Sequence, residues 1–304
     1  GKLKKKIKKN FNKKNPSYYV KESTTLMEFL ELTLQGQSRT NIKRLLSERQ
    51  ILVNGAVHTH FAYILSKGDK IEVLFTKVRG QNMKGIKVVY EDDDIIVVDK
   101  ESGILSMSTD KERDKTAYEM VKRYLKDKNP QNKVFIVHRL DRDTSGVMIF
   151  AKSEDIQQKL QSDWSNLVIE RKYVAIVEGR VEKSEDTIES YLRENSVFVT
   201  VSSKTDEFGG KLAISHYKVI GKSPAFTMLE VKIDTGRKNQ IRVHMQDLGH
   251  PIIGDSKYGS KKSPLARLGL HAKTITFVHP KTGKTLEFIS PVPVRFSEMF
   301  KKKV

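Results

Sequence analysis

Residues 133–153 read KVFIVHRLDRDTSGVMIFAKS, two apolar runs around a polar centre. Val134-Phe135-Ile136-Val137 and Val147-Met148-Ile149-Phe150 are unbroken and rich in β-branched and aromatic residues. Such runs suit strands covered on both faces, although periodicity alone does not separate them from short buried helices. Two core strands joined this way carry Asp141, Asp143, His138, Arg139, Arg142 and the hydroxyls of Thr144 and Ser145 to the rim of a sheet. Loops on a rigid scaffold are where chemistry is usually placed. On chemistry alone the loop reads equally well as an exposed turn, its arginines pairing loosely with its aspartates at about 0–1 kcal/mol each.

The chain of 304 residues has length for one large domain, or a large and a small one, with ample core. Lys and Arg number 56 against 37 Asp and Glu, a formal charge of +19, which calls for a polyanionic partner. With no cysteine there is neither a disulfide framework nor a thiolate zinc site. No apolar run approaches the roughly 18–20 residues that span a bilayer. The lysine-rich opening residues carry no apolar signal core, so a cytoplasmic protein without a membrane partner is expected.

Residues 1–20, with Lys4-Lys5-Lys6 and Lys8-Lys9, read as a basic flexible arm, since like charges at this density repel. Ser23 and Thr24 are placed to cap a helix carrying Leu26, Phe29, Leu30 and Leu34. Ser38 can cap a second, with Ile42, Leu45 and Leu46 inward. Ile51-Leu52-Val53 then runs into an Asn-Gly turn, and Ile71–Leu74 reads as a strand. Two helices followed by strands resemble the S4-like RNA-binding domain over residues 21–77. That resemblance implies an RNA-facing second helix bearing Arg39, Lys43 and Arg44; a solvated basic helix face is the plainer alternative.

Residues 78–85 read as a linker, and residues 86–304 as the main domain. Ser153 can cap a helix in which Ile156, Leu160 and Trp164, spaced four apart, are assigned to core packing. Arg171–Val177 reads as a strand with Tyr173 near its start. Gln240-Ile241-Arg242-Val243-His244-Met245 alternates polar and apolar, which predicts a strand sending Gln240, Arg242 and His244 toward a polar cleft. The lone histidines His138, His250 and His271 read as structural hydrogen-bonders, and no residues group as metal ligands or bind a cofactor.

His138-Arg139-Leu140-Asp141 with Thr144-Ser145-Gly146 resembles the signature of the RluA-like pseudouridine synthase family. Thr235-Gly236-Arg237 leading to Gln240–His244 resembles its second block, Gly249–Asp255 with Tyr258-Gly259 its third, and Leu270-His271-Ala272 with Phe277–Pro280 its fourth. Two positions depart from the family's usual pattern: Glu101 stands where proline is common after Lys100, and Lys238-Asn239 replaces a Thr-His pair. The resemblance implies an α+β catalytic domain on a mostly antiparallel mixed sheet, preceded by the small α/β S4-like domain. It implies isomerisation of uridine in structured RNA, ribosomal first and transfer RNA second, by a monomer. Asp141 is then the catalytic carboxylate and Arg242 its cationic partner, because an aspartate in a dry pocket needs a neighbouring cation to stay ionised. Tyr173 would lie against the flipped base, Arg139 would fill the vacated stack, and Arg237 and Lys238 would hold phosphates. A non-enzymatic RNA-binding or ribosome-assembly factor using the same surfaces is the rival reading.

Overall fold

The computed structural model describes residues 15–74, 83–107 and 115–301. The chain divides into two units, Gly1–Asn82 with Val89–Asp92, and Met83–Val88 with Asp93–Val304.

The smaller unit begins with strand β1 (Ser17–Tyr19) and the short β2 (Thr24–Thr25). Helix α1 (Leu26–Thr33) is capped by Thr25, one residue later than the sequence suggests, with Leu26, Met27 and Leu30 buried. Helix α2 (Arg39–Ser47) is capped by Ser38, whose hydroxyl accepts the Asn41 amide, and it buries Ile42, Leu45 and Leu46. Strand β3 (Ile51–Val53) turns through Asn54 and Gly55, both at positive φ, into β4 (Ala56–Val57). After β5 (Ile64–Leu65), β6 (Lys70–Val73) completes a four-stranded sheet of order β1-β6-β3-β4. Ser17–Tyr19 therefore pair with β6, and the last residues assigned to a free arm belong to this sheet. Residues 1–14, and most of the expected linker, lie outside the described residues.

The larger unit is built on the opening residues of β7 (Ile86–Glu91) and on β8 (Ile95–Lys100), β9 (Phe135–Ile136), β10 (Ser145–Ala151) and β11 (Val168–Glu178). These are joined by β12 (Glu185–Glu194), β13 (Thr200–Ser203), β14 (Lys211–Lys222), β15 (Phe226–Ile233), β16 (Leu270–Val278) and β17 (Thr285–Ile289). They form one eleven-stranded sheet of order β13-β12-β14-β15-β11-β16-β10-β8-β7, with β17 beside β16 and β9 beside β10. Most pairings are antiparallel, and β10 with β16 is parallel, so the sheet is mixed. Every residue of β10 is buried, which is why its sequence reads as a continuous apolar run. Helices α3 (Ala117–Lys128), α4 (Glu154–Ser162) and α5 (Trp164–Leu167) precede β11; α6 (Gln240–Asp247) and α7 (Val294–Glu298) follow β15 and β17.

Three central strands converge on one point. Gly146 of β10 lies opposite Ala272 of β16, and Ala272 in turn lies opposite Tyr173 of β11. A Cβ on Gly146 would sit 2.1 Å from the Ala272 carbonyl oxygen, and its φ is +124°. Only glycine allows this approach. Gly146→Ala is accordingly expected to cost upwards of ~2 kcal/mol, read as a lowered urea midpoint with an unchanged slope. An unchanged midpoint would mean that β10 and β16 have room to part.

Candidate active site

Asp141 is held by its neighbours' backbone. Leu140 is buried, and the Ser106 hydroxyl donates to its carbonyl (2.6 Å) while accepting its amide (3.1 Å). The Arg142 carbonyl accepts from Gly103 N–H (2.8 Å) and from Lys100 Nζ (2.9 Å); the Asp143 carbonyl accepts from the Ser102 hydroxyl (2.7 Å). Lys100, 1% exposed, also donates to the carbonyls of Ile104 and Glu101. Residues 100–106 thus clasp residues 140–143 on both sides of Asp141, which stays partly exposed. Glu101, in place of the usual proline, leaves an amide there that donates to Gly85 (2.8 Å).

The rest of the signature loop is less polar in practice than its sequence suggests. Thr144 and Ser145 do not reach the rim; both are buried. Ser145 Oγ lies 2.8 Å from His271 Nδ1 and accepts from Arg267 Nη2 at 2.9 Å, tying the start of β10 to β16. His138 is not a cation: its Nε2 accepts the Ile149 amide at 3.0 Å, and burial pushes it down to about 3.

The segment Gln240–Asp247 is a helix, not the strand that alternation predicts. Spacing of two and of four coincide for residues 240 and 244, so a buried polar stripe one turn long mimics a strand face. Gln240 Nε2 donates to Ser215 Oγ (2.9 Å), and His244 Nδ1 lies 2.8 Å from the same hydroxyl. On another side Ile241 and Met245 enter the core with Val231 and Leu270. Arg242 alone of the three polar groups meets Asp141, with Nη1 at 3.6 Å from Oδ2.

The guanidinium of Arg242 is fixed from behind. Its Nε and Nη2 donate to the two oxygens of Asp255 at 2.9 and 2.8 Å, its Nη1 donates to Asn239 Oδ1 at 3.0 Å, and it lies 4.7 Å above the Tyr258 ring. Burial works against the charge, but the hydrogen bonds and charge of Asp255, aided by Asp141, raise the guanidinium above its ordinary value. Asn239 sits at φ +59°, a conformation asparagine tolerates, and its amide donates to Tyr258 Oη and Thr200 Oγ1. The replacement of the usual Thr-His pair therefore has a structural role of its own. Sequence reasoning assigned no role to Asp255, Asn239 or Tyr258, although Asp255 and Tyr258 fall within a matched block. Asp255→Ala would leave Arg242 without its bidentate partner, at a cost of about 3 kcal/mol in urea unfolding; a cost near zero would show that solvent replaces the carboxylate.

A cleft of about 1190 Å³ is lined by Asp141, Arg242, Tyr173, Arg139, Arg237 and Lys238 among others. The β11–β16 ladder slips one residue between Lys172 and Tyr173, an irregularity of the kind that re-aims a side chain. Burial raises the Tyr173 phenol, Arg171 opposes this and Asp141 adds to it, so the ring is neutral at pH 7. Arg139 is exposed on the cleft and makes no hydrogen bond or ion pair with a described residue. Arg237 spends its Nε on the Leu212 carbonyl (2.9 Å), and Lys238 pairs with Glu194 at 2.7 Å while remaining exposed. Trp164 departs from its core assignment: α4 ends before it, and the half-buried indole lines the cleft. In the smaller unit Arg39 lies 3.5 Å from Glu31, Lys43 lies 6.0 Å from the Phe61 ring centroid, and Arg44 is bound to Glu48 and Asn41.

Three histidines, His244 and His271 buried and His138 half-buried, support this scaffold as neutral rings. Burial is the first cause in each, pushing His138 to about 3 and His244 and His271 to about 4, from an ordinary 6.5. The unfolded chain protonates them near 6.5 and the folded chain does not until pH 3–4, so unfolding takes up to about three protons between those limits. Their contribution is complete above pH 6.5 and is lost as pH falls. Urea midpoints should decline from pH 7 to pH 4, less steeply in His271→Gln; a flat profile would show these rings already charged in the fold.

The sequence profile of the RNA pseudouridylate synthase family matches residues 94–247. The uncharacterized RNA pseudouridine synthase YlyB of Bacillus subtilis is 31% identical over 286 residues, covering 91% of this chain and 93% of the relative. The ribosomal large subunit pseudouridine synthase D of Vibrio cholerae is 33% identical over 280 residues, with 86% of each chain covered. Among solved structures, human RNA pseudouridylate synthase domain containing 4 shares the fold, with a TM-score of 0.57 over 69% of this chain and 90% of that one at 21% identity. This chain belongs to the RNA pseudouridylate synthase family. It is an RNA pseudouridine synthase, an isomerase that acts on RNA, and no helix among its described residues is long and apolar enough to cross a membrane.

Proposed function

We propose that the protein converts specific uridines of large-subunit ribosomal RNA to pseudouridine, with Asp141 as the catalytic carboxylate. The observation that carries the mechanism is the meeting of Asp141 and Arg242 at 3.6 Å on a cleft that also admits Tyr173. The ribosomal assignment is supported by relatives of Vibrio cholerae and Pseudomonas aeruginosa, 33% and 34% identical, that are named for the large ribosomal subunit.

The target uridine is flipped from its stack at a cost of a few kcal/mol, and Arg139, exposed and unpaired with any described residue, fills the gap. Asp141 acts on the flipped nucleotide as nucleophile or proton acceptor while Arg242 balances its charge. The bond from ribose to N1 breaks, uracil turns within the cleft, and a bond from ribose to C5 forms. The proton leaving C5 is balanced by one gained at N1, so no redox partner or energy source is consumed. Tyr173, neutral and flat, stacks on the base and helps to move that proton. Arg237 and Lys238 hold flanking phosphates, Lys238 by exchanging its exposed pairing with Glu194, worth little in water, for RNA.

The smaller unit acts as an S4-like RNA-binding module, with Arg39 and Lys43 of α2 meeting phosphates. Arg44 contributes less, because its donors already serve Asn41 and Glu48. Pseudouridine maps of ribosomal and transfer RNA, with and without the gene, should differ at large-subunit positions; a loss confined to transfer RNA would overturn the ribosomal assignment. Asp141→Asn should abolish product and keep RNA affinity within a few-fold. Lost affinity would make Asp141 structural.

A further inference from the structure

The mechanism above leaves one wall of the cleft unused. It is made by α5 and the start of β11, and includes Trp164, Ile169 and Arg171. Trp164 is half-buried, its indole N–H has no hydrogen bond to a described residue, and its ring centroid lies 5.3 Å from that of His138. Ile169 is 54% exposed. The guanidinium carbon of Arg171 lies 5.5 Å from the indole centroid.

Arg171 is the unusual member. It makes no hydrogen bond or ion pair with any described residue, so its five N–H donors are unspent. Its position is nevertheless defined: a Cβ on Gly236 would come within 2.6 Å of Nη1, so the glycine of Thr235-Gly236-Arg237 makes room for it. Burial works against its charge, and the Asp234 carboxylate only partly supports it. A guanidinium does not escape such a site by losing its proton, and its unmet donors favour an anion or acceptor supplied by a ligand. An apolar ring beside a partly desolvated cation has the composition of a stacking platform for single-stranded nucleic acid.

We infer that Trp164 and Arg171 form a second nucleotide seat beside the target pocket, the indole stacking on a base that flanks the target uridine and the guanidinium taking that nucleotide's phosphate. The seat would help to decide in which sequence context a uridine is accepted. This rests on the reading of the cleft as the RNA site, and it names the residues through which that site selects.

Trp164 is the only tryptophan of the chain, so intrinsic fluorescence reports this seat alone. Full-length protein carrying Asp141→Asn would be titrated with large-subunit ribosomal RNA transcribed in vitro, and in parallel with transfer RNA transcripts, with binding followed independently by filter retention. The indole emission should be quenched along the same curve as retention for whichever RNA the wild-type enzyme modifies. Trp164→Ala should raise KM roughly 5–100-fold, more than it lowers kcat, and Trp164→Phe should recover most of that loss. Arg171→Met should lower the slope of log affinity against log salt by about one, the mark of one lost phosphate contact. Retention with unchanged emission, or an unaltered salt slope in a folded Arg171→Met, would overturn the inference while leaving the proposed function intact. If wild-type protein modified neither RNA, the proposed function would fall first and the seat with it.

Discussion

A carboxylate that is 2% exposed sets the geometry of the cleft. Asp255 takes both donors on one side of Arg242, leaving Nη1 to bridge Asn239 and Asp141. A guanidinium on a free side chain would spread over many rotamers. Held as a fork against Asp255 and lying over the Tyr258 ring, it has one orientation, set during folding. The 3.6 Å separation from Asp141 is longer than a hydrogen bond, so the aspartate keeps its acceptor oxygens open to the cleft while still feeling the cation. Asp141 itself comes from a loop pinned by Lys100, Ser102, Gly103 and Ser106. The two halves of the ion pair are thus oriented independently, one by a buried carboxylate and one by backbone bonds.

The sheet makes this possible by bringing distant segments together without long side chains. The parallel pairing of β10 and β16 and the antiparallel pairing of β11 and β16 set Gly146, Ala272 and Tyr173 in adjacent positions. Glycine at 146 lets the backbones touch, the register is irregular beside Tyr173, and the tyrosine lines the same cleft as the loop before β10. Position in the fold, rather than the number of polar residues, therefore decides which polar groups are left uncommitted in the cleft. Ser145 and His138 belong to the same signature as Asp141, yet they are spent on holding the strand ends, and Thr144 is buried with its hydroxyl unpaired to any described residue.

Much of the fold was legible because its central strands are buried on both faces: Ile95–Val98, Val147–Phe150 and Val174–Val177 read as the continuous apolar runs they are. Caps were legible where a hydroxyl stands before an apolar stripe, as at Ser38 and Ser153. The helix at Gln240 was not, since its polar groups at 240 and 244 face a buried serine and so copy the alternation of a half-exposed strand. Asp141, Tyr173 and Arg242 stood out by motif. Asp255 and Asn239 did not, because their importance lies in a contact with Arg242 that spacing along the chain does not reveal. Trp164 was misplaced for a related reason: four-residue spacing after Leu160 continues a helix that in fact ends at Ser162.

A charge of +19 names the class of partner without saying which cations engage it. The structure separates them by what they already hold. Arg242, Arg44 and Lys100 are committed to carboxylates or carbonyls, and moving any of them would expose an unsatisfied group. Arg139 and Arg171 have no such commitment to a described residue, and both line the cleft. Releasing a committed cation to bind RNA costs the interaction it leaves, whereas an uncommitted one gains a phosphate or base with only its hydration to lose. Affinity in the cleft should therefore concentrate on a few uncommitted arginines, while the larger surface charge acts mainly through long-range attraction that salt removes.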